Sequence, residues 1–395
     1  LTAGLANVTV RPDGGAVLLQ LPSPRASLPA LLTQVPILPL AGASSQEVAR
    51  LAGTPASVLA TSGPYQVTGS TATDLELAAN PHASAPPHLK TLDIRLYPTF
   101  SAAATAFSNG DVDALLATTP AERAQLLAVH GAHAHDIATF SFVDLLFNER
   151  TRGLDDAVVR QAIAAAVQRT SILRGALAGW GGLPQTGPLP AGIPWVAPAN
   201  TGAAAPVDAA AALRADGWQA VDGVLQRGGV RLDFTVTVSD ASPLQAVARE
   251  VAVQVGQLGI ALHVAEVPPS ALVSQHLGSG SFAMALAAWN AGPDPDVSEF
   301  WRSNAAPPHG YNFSGGAVDP FLDQALDSLA TLTDRGARVA AARQVSALLA
   351  QDAPAAFVYA PEVAFVFRQP MRSEPVPAVG GSAARYDDIA AWMTQ

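Results

Sequence analysis

Short apolar or alternating runs recur along the chain, and segments with helical spacing separate most of them. The short runs predict strands over 6–10, 16–21, 66–68, 75–79, 92–97, 112–116, 140–147, 230–238, 261–267, 282–288, 356–359 and 363–367. The helical spacing predicts helices over 46–51, 101–109, 120–129, 157–168, 207–215, 244–258, 319–330, 335–351 and 386–393. Strands that alternate with helices favour the α/β class with parallel or mixed sheets.

Turn and cap signals support several of these element ends. The run Pro12-Asp13-Gly14-Gly15 predicts a hairpin turn, because glycine supplies the positive φ that such turns require. Gly110 follows a helical pattern and is expected to end that helix in the left-handed conformation. Asp155 and Asp156 precede another helical pattern, where carboxylates favour a helix N-terminus.

The length of 395 residues predicts two lobes rather than one hydrophobic core. Apolar residues make up 49% of the chain, but no uninterrupted run approaches the roughly 20 residues of a membrane-spanning helix. The net charge is −10 and Lys90 is the single lysine, which argues against a nucleic-acid partner. Because cysteine is absent, disulfides, thiolate metal sites and a cysteine nucleophile are excluded.

The stretch 282–300 is the main candidate for a binding site. A predicted strand ends there at Trp289 and Asn290, and a Gly/Pro/Asp loop follows. Loops at strand ends line the ligand crevice of α/β proteins, because the sheet fixes the backbone while side chains face solvent. The alternative is structural: a tryptophan at a strand end packs on the core, and Asp-Pro-Asp forms a turn or begins a helix.

Aromatic residues in predicted loops form a wider set of candidates. They are Trp180, Trp195, Trp289, Trp301 and Tyr311. Aromatic side chains in a cleft enclose a ligand, and elsewhere they attach irregular loops to the core. We expect roughly half of them to be structural, because tryptophan is mostly buried.

Metal and acid–base chemistry are alternatives. Three of the eight histidines, His130, His133 and His135, lie within six residues and could share a zinc or nickel ion, although a solvated loop is the commoner outcome. The carboxylates of Asp294, Asp296 and Glu299 could be acid–base groups or calcium ligands, or simply the first turn of a helix.

Sequence signatures of common catalytic and cofactor sites are absent. The chain has no G-x-S-x-G, H-E-x-x-H or phosphate-loop motif. We therefore expect no catalytic residues, no cofactor and no enzymatic activity.

Several segments, in order, resemble the family 5 extracellular solute-binding proteins, the dipeptide-, oligopeptide- and nickel-binding components of ABC importers. The matching segments are Ser62-Gly63-Pro64-Tyr65, Leu145 to Asn148 with Leu154 to Ile163, Gly181 to Trp195, Ala211 to Trp218 with Leu244 to Ile260, Trp289 to Phe300, and Tyr311 to Phe321. Together they span most of the chain, which makes the resemblance fairly specific.

The resemblance implies a two-lobed type II periplasmic-binding-protein fold of the cluster C type, with mixed sheets and a hinge of two strand crossings. Lobe I is expected over residues 1–145, lobe II over 146–355, and the chain returns to lobe I over 356–395. The crossings are expected near 142–148 and 357–367. Family members carry a longer N-terminal part, so we expect lobe I to be incomplete on that side.

The resemblance also implies a set of ligand contacts: Trp289, Asn290, Asp294, Tyr311, Asn312 and Tyr65. Peptide-binding members place an aspartate three residues after the tryptophan, where it pairs with the peptide ammonium. This chain has Gly292 at that position. Peptide specificity is therefore open, and a neutral or differently charged solute fits equally well.

The function implied is an extracytoplasmic solute-binding protein that delivers a short peptide or other small solute to ABC permease subunits. It is expected to act as a monomer in the periplasm or at the cell surface, tethered to the membrane through its N-terminal side. The alternatives are a metal-binding protein or metal-dependent enzyme that uses the three histidines, and a sensor with the same fold.

Overall fold

The computed structural model describes residues 8–33, 44, 46, 62–184, 187–189, 208–241, 243–316, 318–369, 380, 386 and 389–393. The chain forms two compact units. The first unit comprises Leu1–Gln34 and Ala138–Glu362, and the second comprises Val35–Ile137 and Val363–Gln395. The lobe limits at 145/146 and 355/356 stay predictions.

The elements follow the alternation of strands and helices predicted above. The strands are β1 Thr9–Asp13, β2 Ala16–Gln20, β3 Tyr65–Ser70, β4 Asp74–Ala79, β5 Thr91–Arg95, β6 Ala114–Ala117, β7 His133–Ala138, β8 Ser141–Phe147, β9 Gly182–Pro184, β10 Gln219–Val221, β11 Val224–Arg227, β12 Val230–Arg231, β13 Asp233–Ser239, β14 Ala261–Val267, β15 Met284–Asn290 and β16 Ala355–Phe367. The helices are Leu28–Leu32, Phe100–Asn109, Pro120–Leu127, Ala157–Ala166, Arg169–Arg174, Ala209–Ala215, Leu244–Gly256, Pro269–Ala271, Ser298–Trp301, Pro320–Thr331 and Arg335–Asp352, with a π-helical turn at Leu272–Leu277 and a 3₁₀ turn at Ile389–Ala391. Among the described helices, none has the length and apolar character that a membrane crossing requires.

A mixed sheet forms the centre of the first unit, with strand order β14-β13-β15-β8-β16. Strand β13 is parallel to β14 and β15, whereas β8 is antiparallel to both β15 and β16. The order of strands is therefore not the order of the sequence, and residues far apart in the chain become neighbours. One such pair is Ala287 on β15 opposite Asp144 on β8.

Hydrophobic cores cover both faces of this sheet. Successive side chains of a strand point to opposite faces, so Val143, Leu145 and Phe147 join one core while Phe142 and Leu146 join the other. Each fully buried side chain of this size contributes about 1.5–3 kcal/mol relative to an exposed one. Strand β8 is thus held firmly from both sides.

Helices complete the two cores of the first unit. The first core takes residues from Ala157–Ala166 and Leu244–Gly256, and the second from Pro320–Thr331 and Arg335–Asp352. The Asp156 side chain accepts a hydrogen bond from the Val158 N–H and caps its helix, in agreement with the prediction from its position.

The second unit contains an antiparallel sheet, β3-β4-β5, and the end of β16 paired with β6. Its core consists of Tyr65, Ile137, Phe365, Phe367, Ile389 and Trp392. Helix Phe100–Asn109 ends at Gly110, whose φ of 84° is left-handed as predicted. Strand β6, which follows this helix, pairs antiparallel with β16.

Several element predictions need correction or fall outside the described residues. The segment 133–138, expected to be a solvated loop, is strand β7. Its alternate residues His133 and His135 lie on one face, where their rings pack against Phe367. Predicted strands 356–359 and 363–367 are one continuous strand, β16. The predicted helix 46–51 lies almost entirely outside the described residues, and within the predicted helix 386–393 the structure has a 3₁₀ turn at Ile389–Ala391.

Candidate functional site

Trp289 lies at the end of β15 and is held there by a buried carboxyl. The strand continues two residues beyond the predicted range 282–288, since Trp289 and Asn290 still pair with Phe142 and Ser141 of β8. The indole Nε1 donates a hydrogen bond of 2.8 Å to Oδ1 of Asp144, which has no exposed surface. The backbone pairing and this hydrogen bond together fix the plane of the indole.

Two rings pack against Trp289 and a third packs against those two, and we call Trp289, Phe300, Tyr311 and Phe313 the aromatic cluster. Trp289 stacks on Phe313 with ring centroids 5.7 Å apart and meets Phe300 edge-on at 5.9 Å. Tyr311 stacks on Phe300 at 5.7 Å and an interplanar angle of 27°. Because Tyr311 remains 51% exposed, the cluster presents a fixed aromatic surface to solvent.

Asp144 is the residue of this site that the sequence analysis missed. Burial raises the pKa of its carboxyl to about 7, against the opposing effect of the hydrogen bond from Trp289. Its second oxygen, Oδ2, has no hydrogen-bond partner among the described residues. The carboxyl is therefore mostly neutral below pH 7. A lone acidic residue in the apolar run SFVDLLF was the available signal.

The loop after β15 is shaped by its own polar side chains. Asn290 Oδ1 accepts a hydrogen bond of 2.9 Å from the Gly292 N–H, and Asp294 Oδ1 accepts one of 3.0 Å from the Asp296 N–H. Gly292 has a φ of 75°, and no atom lies within 4 Å of the position that a Cβ would occupy. A side chain at 292 would therefore meet open space.

Asp294 forms a bidentate ion pair with Arg338. The Arg338 guanidinium donates to both carboxylate oxygens, at 2.6 and 3.0 Å, and its Nε donates to the Leu329 carbonyl. The side chains of Arg338 and Asp294 are only 8% and 13% exposed. Removing one partner of such a buried pair typically costs about 3–5 kcal/mol. The charge of Asp294 is thus balanced within the protein.

The other predicted contacts also have protein partners. Asn312 donates to the Arg302 carbonyl at 3.1 Å and accepts from the N–H and hydroxyl of Ser314, so it holds its own loop. Tyr65 belongs to the second unit, where it is buried and its hydroxyl donates to the Leu89 carbonyl at 3.1 Å. The structure thus gathers Trp289, Tyr311 and their loop neighbours in one unit, and the ligand contacts themselves stay predictions.

The three histidines do not form a recognisable metal centre. His133 and His135 lie on β7 with ring centroids 5.6 Å apart, and both rings pack against Phe367 at 5.7 Å. His130 is exposed after the preceding helix. Across the described ranges, no group of three or more His, Asp or Glu residues is arranged to hold a metal ion. The alternative that uses these histidines gains no support.

A second buried ionic cluster lies elsewhere in the first unit. The Arg160 side chain, 3% exposed, contacts Glu149 at 3.2 Å and Asp352 at 2.7 Å and also donates to three backbone carbonyls. Burial raises the pKa of Glu149 to about 7, and the charge of Arg160 opposes that rise. The hydrogen bonds to the Asp352 and Ala353 carbonyls indicate that Arg160 fixes the end of helix Arg335–Asp352 to helix Ala157–Ala166.

Comparison with solved structures shows that the chain shares the fold class of several periplasmic binding proteins. The oligopeptide-binding protein AppA of Bacillus subtilis, in complex with a nonapeptide, is 21% identical to this chain, with a TM-score of 0.70. The match covers 98% of this chain and 78% of the AppA chain. NikZ of Campylobacter jejuni, in complex with Ni(L-His), is 19% identical with a TM-score of 0.75, covering 98% and 79%. CtaP of Listeria monocytogenes is 16% identical with a TM-score of 0.80, covering 98% and 78%. The predicted fold class is confirmed.

Within this class, the family model described as bacterial extracellular solute-binding proteins, family 5 Middle, matches residues 6–311, and the chain belongs to this family. The resemblance found in the sequence is therefore confirmed. Protein XP55 of Streptomyces lividans is 27% identical over 298 residues, which is 73% of this chain and 53% of that protein. The chain spans about half the length of this curated relative.

Proposed function

We propose that this chain binds a small solute outside the cytoplasm and delivers it to the permease subunits of an ABC importer, with no chemical step. The observation that carries the proposal is the aromatic cluster, in which Asp144 and stacked rings fix Trp289 and Tyr311 at the surface of a family 5 protein. A surface held in advance loses little conformational freedom when a solute binds.

The direct contacts we propose are Trp289, Tyr311 and Asn290. The Nδ2 group of Asn290 and the hydroxyl of Tyr311 have no hydrogen-bond partner among the described residues, so they are available to a solute. Asp294, Asn312 and Tyr65 have protein partners for their polar groups. We propose that these three residues act mainly by holding the site in shape.

The residues of this site, rather than the fold, determine which solute is bound. Solved relatives are in complex with chemically different ligands: AppA with a nonapeptide, NikZ with Ni(L-His), and DppA of Helicobacter pylori with the peptide STSA. Our proposal includes a monomeric protein in the periplasm or at the cell surface, tethered to the membrane.

Thermal denaturation against a panel of peptides, sugars and metal complexes tests the proposal. A solute that binds only the folded chain stabilises it by mass action and so raises the melting temperature. At a solute concentration of one hundred times Kd, the free energy of unfolding rises by about 2.7 kcal/mol. Calorimetric titration of each hit then compares Trp289→Ala with the matched control Trp180→Ala, a tryptophan outside the aromatic cluster. We expect at least about tenfold weaker binding for the first variant alone. Equal affinities in both variants would remove Trp289 from the site.

A further inference from the structure

Among the described residues, the carboxyl of Asp144 has one side-chain partner, and that partner belongs to the proposed site. The indole Nε1 of Trp289 donates to Oδ1 at 2.8 Å, while Oδ2 has no hydrogen-bond partner in the described part of the chain. Asp144 has no exposed surface. A change in the state of this carboxyl therefore acts first on the ring that we propose the solute touches.

Apolar groups surround the carboxyl on its face of the sheet. Ala287 of β15 and Phe357 of β16 lie directly opposite Asp144, and residues opposite each other share a face. Phe142 lies on the same face two residues earlier, and its ring contacts that of Phe357 at 5.8 Å. Besides burial, the influences on the pKa of Asp144 are the Trp289 hydrogen bond and its own backbone N–H.

Other ionisable groups lie on the elements that pack around the aromatic cluster. Asp294 and Arg338 are paired with each other. The remaining groups are Asp296, Glu299, His309 and Tyr311. Partial burial, followed by the charge of Asp296, raises the pKa of Glu299. A pH effect at the cluster therefore has to be assigned to Asp144 by substitution of its neighbours.

Ionisation of Asp144 strengthens its hold on the indole. The hydrogen bond from Trp289 lowers the pKa of Asp144, against the larger effect of burial. A donor that lowers a pKa binds the carboxylate more tightly than the neutral acid, because the two equilibria are linked. A proton on Oδ2 would moreover have no acceptor among the described residues, which is costly in a buried place. The indole is thus held more firmly when the carboxyl is ionised.

A solute on Trp289 acts on Asp144 through the indole. Because Asp144 has no exposed surface, the solute takes no water from the carboxyl directly. The half-buried indole of Trp289 loses less freedom on binding when its orientation is already fixed. The solute is therefore expected to prefer the ionised state.

We propose that Asp144 is the positioning residue of Trp289 and makes solute binding depend on pH, with tighter binding when the carboxyl is ionised. This inference rests on the proposed function and adds its regulation. By linkage, a solute that binds shifts Asp144 toward the ionised state, and the Asp144 proton passes to the buffer. A charge-assisted hydrogen bond is roughly twice as strong as a neutral one, which sets the expected change in affinity at about three- to tenfold.

Acrylamide quenching tests the positioning role without a solute. Acrylamide is neutral, and the difference between the wild-type chain and Trp289→Phe isolates the fluorescence of Trp289. We expect a quenching constant about twofold larger at about pH 5.5 than at about pH 8.5, with a midpoint near 7. Asp144→Asn, whose amide does not ionise, should give equal constants. A constant that does not change with pH in the wild-type chain overturns the inference, and this result holds whether or not Asp144→Asn folds.

Two control variants assign the titration. Glu299→Gln and His309→Gln each remove an ionisable group beside the cluster and leave Asp144 in place. Both should keep the pH dependence of quenching. If either variant abolishes it, the titration belongs to that residue and the inference is wrong.

Calorimetry tests the coupling to the solute. The first probes are N-acetylglucosamine and N-acetyl-trialanine amide, which are uncharged throughout this pH range, followed by the wider solute panel. For any member that binds, the affinity in the wild-type chain should be about three- to tenfold higher at about pH 8.5 than at about pH 5.5, relative to the same ratio in Asp144→Asn. Equal ratios overturn the inference and leave the proposed function standing. If no member binds at either pH, the proposed function fails, and the coupling fails with it.

Discussion

The indole N–H of Trp289 donates to a carboxyl, Asp144, that solvent does not reach. The two residues are 145 positions apart in the sequence, and the antiparallel pairing of β15 with β8 brings them together. One oxygen of the carboxyl accepts the hydrogen bond from the indole, while the other has no hydrogen-bond partner in the described part of the chain. The pair thus combines a rigid orientation of Trp289 with a titratable group in an apolar environment.

Asp144→Asn is expected to flatten the pH dependence of stability. The folded chain holds the Asp144 proton up to about pH 7, whereas an unfolded aspartate releases it near its ordinary pKa of 3.8. The folded state therefore binds more protons in this window, and the free energy of unfolding falls as pH rises through it. The fall is on the order of 4 kcal/mol at most.

Urea denaturation at about pH 5 and about pH 8 measures this effect. Asp240→Asn is the control, because it removes the same charge at an exposed position. If Asp144→Asn and the wild-type chain lose the same stability between the two pH values, the carboxyl is ionised throughout and its raised pKa is wrong.

The indole of Trp289 should report the titration of Asp144 directly. We expect its ¹H–¹⁵N resonance to shift with pH around a midpoint near 7, because a carboxylate accepts a stronger hydrogen bond than a neutral acid. Trp289→Phe assigns the resonance, and Asp144→Asn should abolish the shift. A resonance that does not move between about pH 5 and about pH 9 would contradict the proposed coupling.

Asp294 and Arg338 should show strong energetic coupling. Asp294→Asn or Arg338→Met alone leaves one buried charge without its partner, so each is expected to lower the free energy of unfolding by about 3–5 kcal/mol. The double variant should be more stable than the sum of the two losses implies. Denaturation of all four chains gives the coupling energy, and additive losses would mean that the pair carries no net interaction.

Glu149→Gln should also reduce the pH dependence of stability. Burial raises the pKa of Glu149 from 4.5 to about 7, so this carboxyl likewise costs stability as pH rises through that interval. The expected difference is on the order of 3 kcal/mol at most between about pH 4 and about pH 8. Glu76→Gln, at an exposed position, is the control, and equal pH profiles for the two variants would contradict the prediction.

Local signals in the sequence predicted much of the fold. Gly110 ended its helix and Asp156 capped the next as expected, because both effects depend on a few neighbouring residues. Strand β7 was missed because its support comes from Phe367, more than two hundred residues away. The continuity of β16 was missed for a similar reason, since both halves are fixed by partners distant in the sequence.

The site was predicted less completely than the fold. Trp289 and the following loop were identified from residue types at a strand end, and the structure places them beside Tyr311 as a cluster. The partners Asp144 and Arg338 were not foreseen. Their roles depend on strand register and helix packing, which a spacing pattern does not contain.

Arg338 holds the loop after β15 through its ion pair with Asp294, whereas Gly292 in the same loop adjoins open space. The residues that keep the loop folded are therefore different from the position where a new side chain would enter open space. Under the proposed function, substitutions at 292 would change what the site accepts while the Asp294–Arg338 pair stays in place. Under the proposed function, related proteins could acquire new solutes through single changes at 292 to Asp or Asn, which tolerate this left-handed backbone conformation.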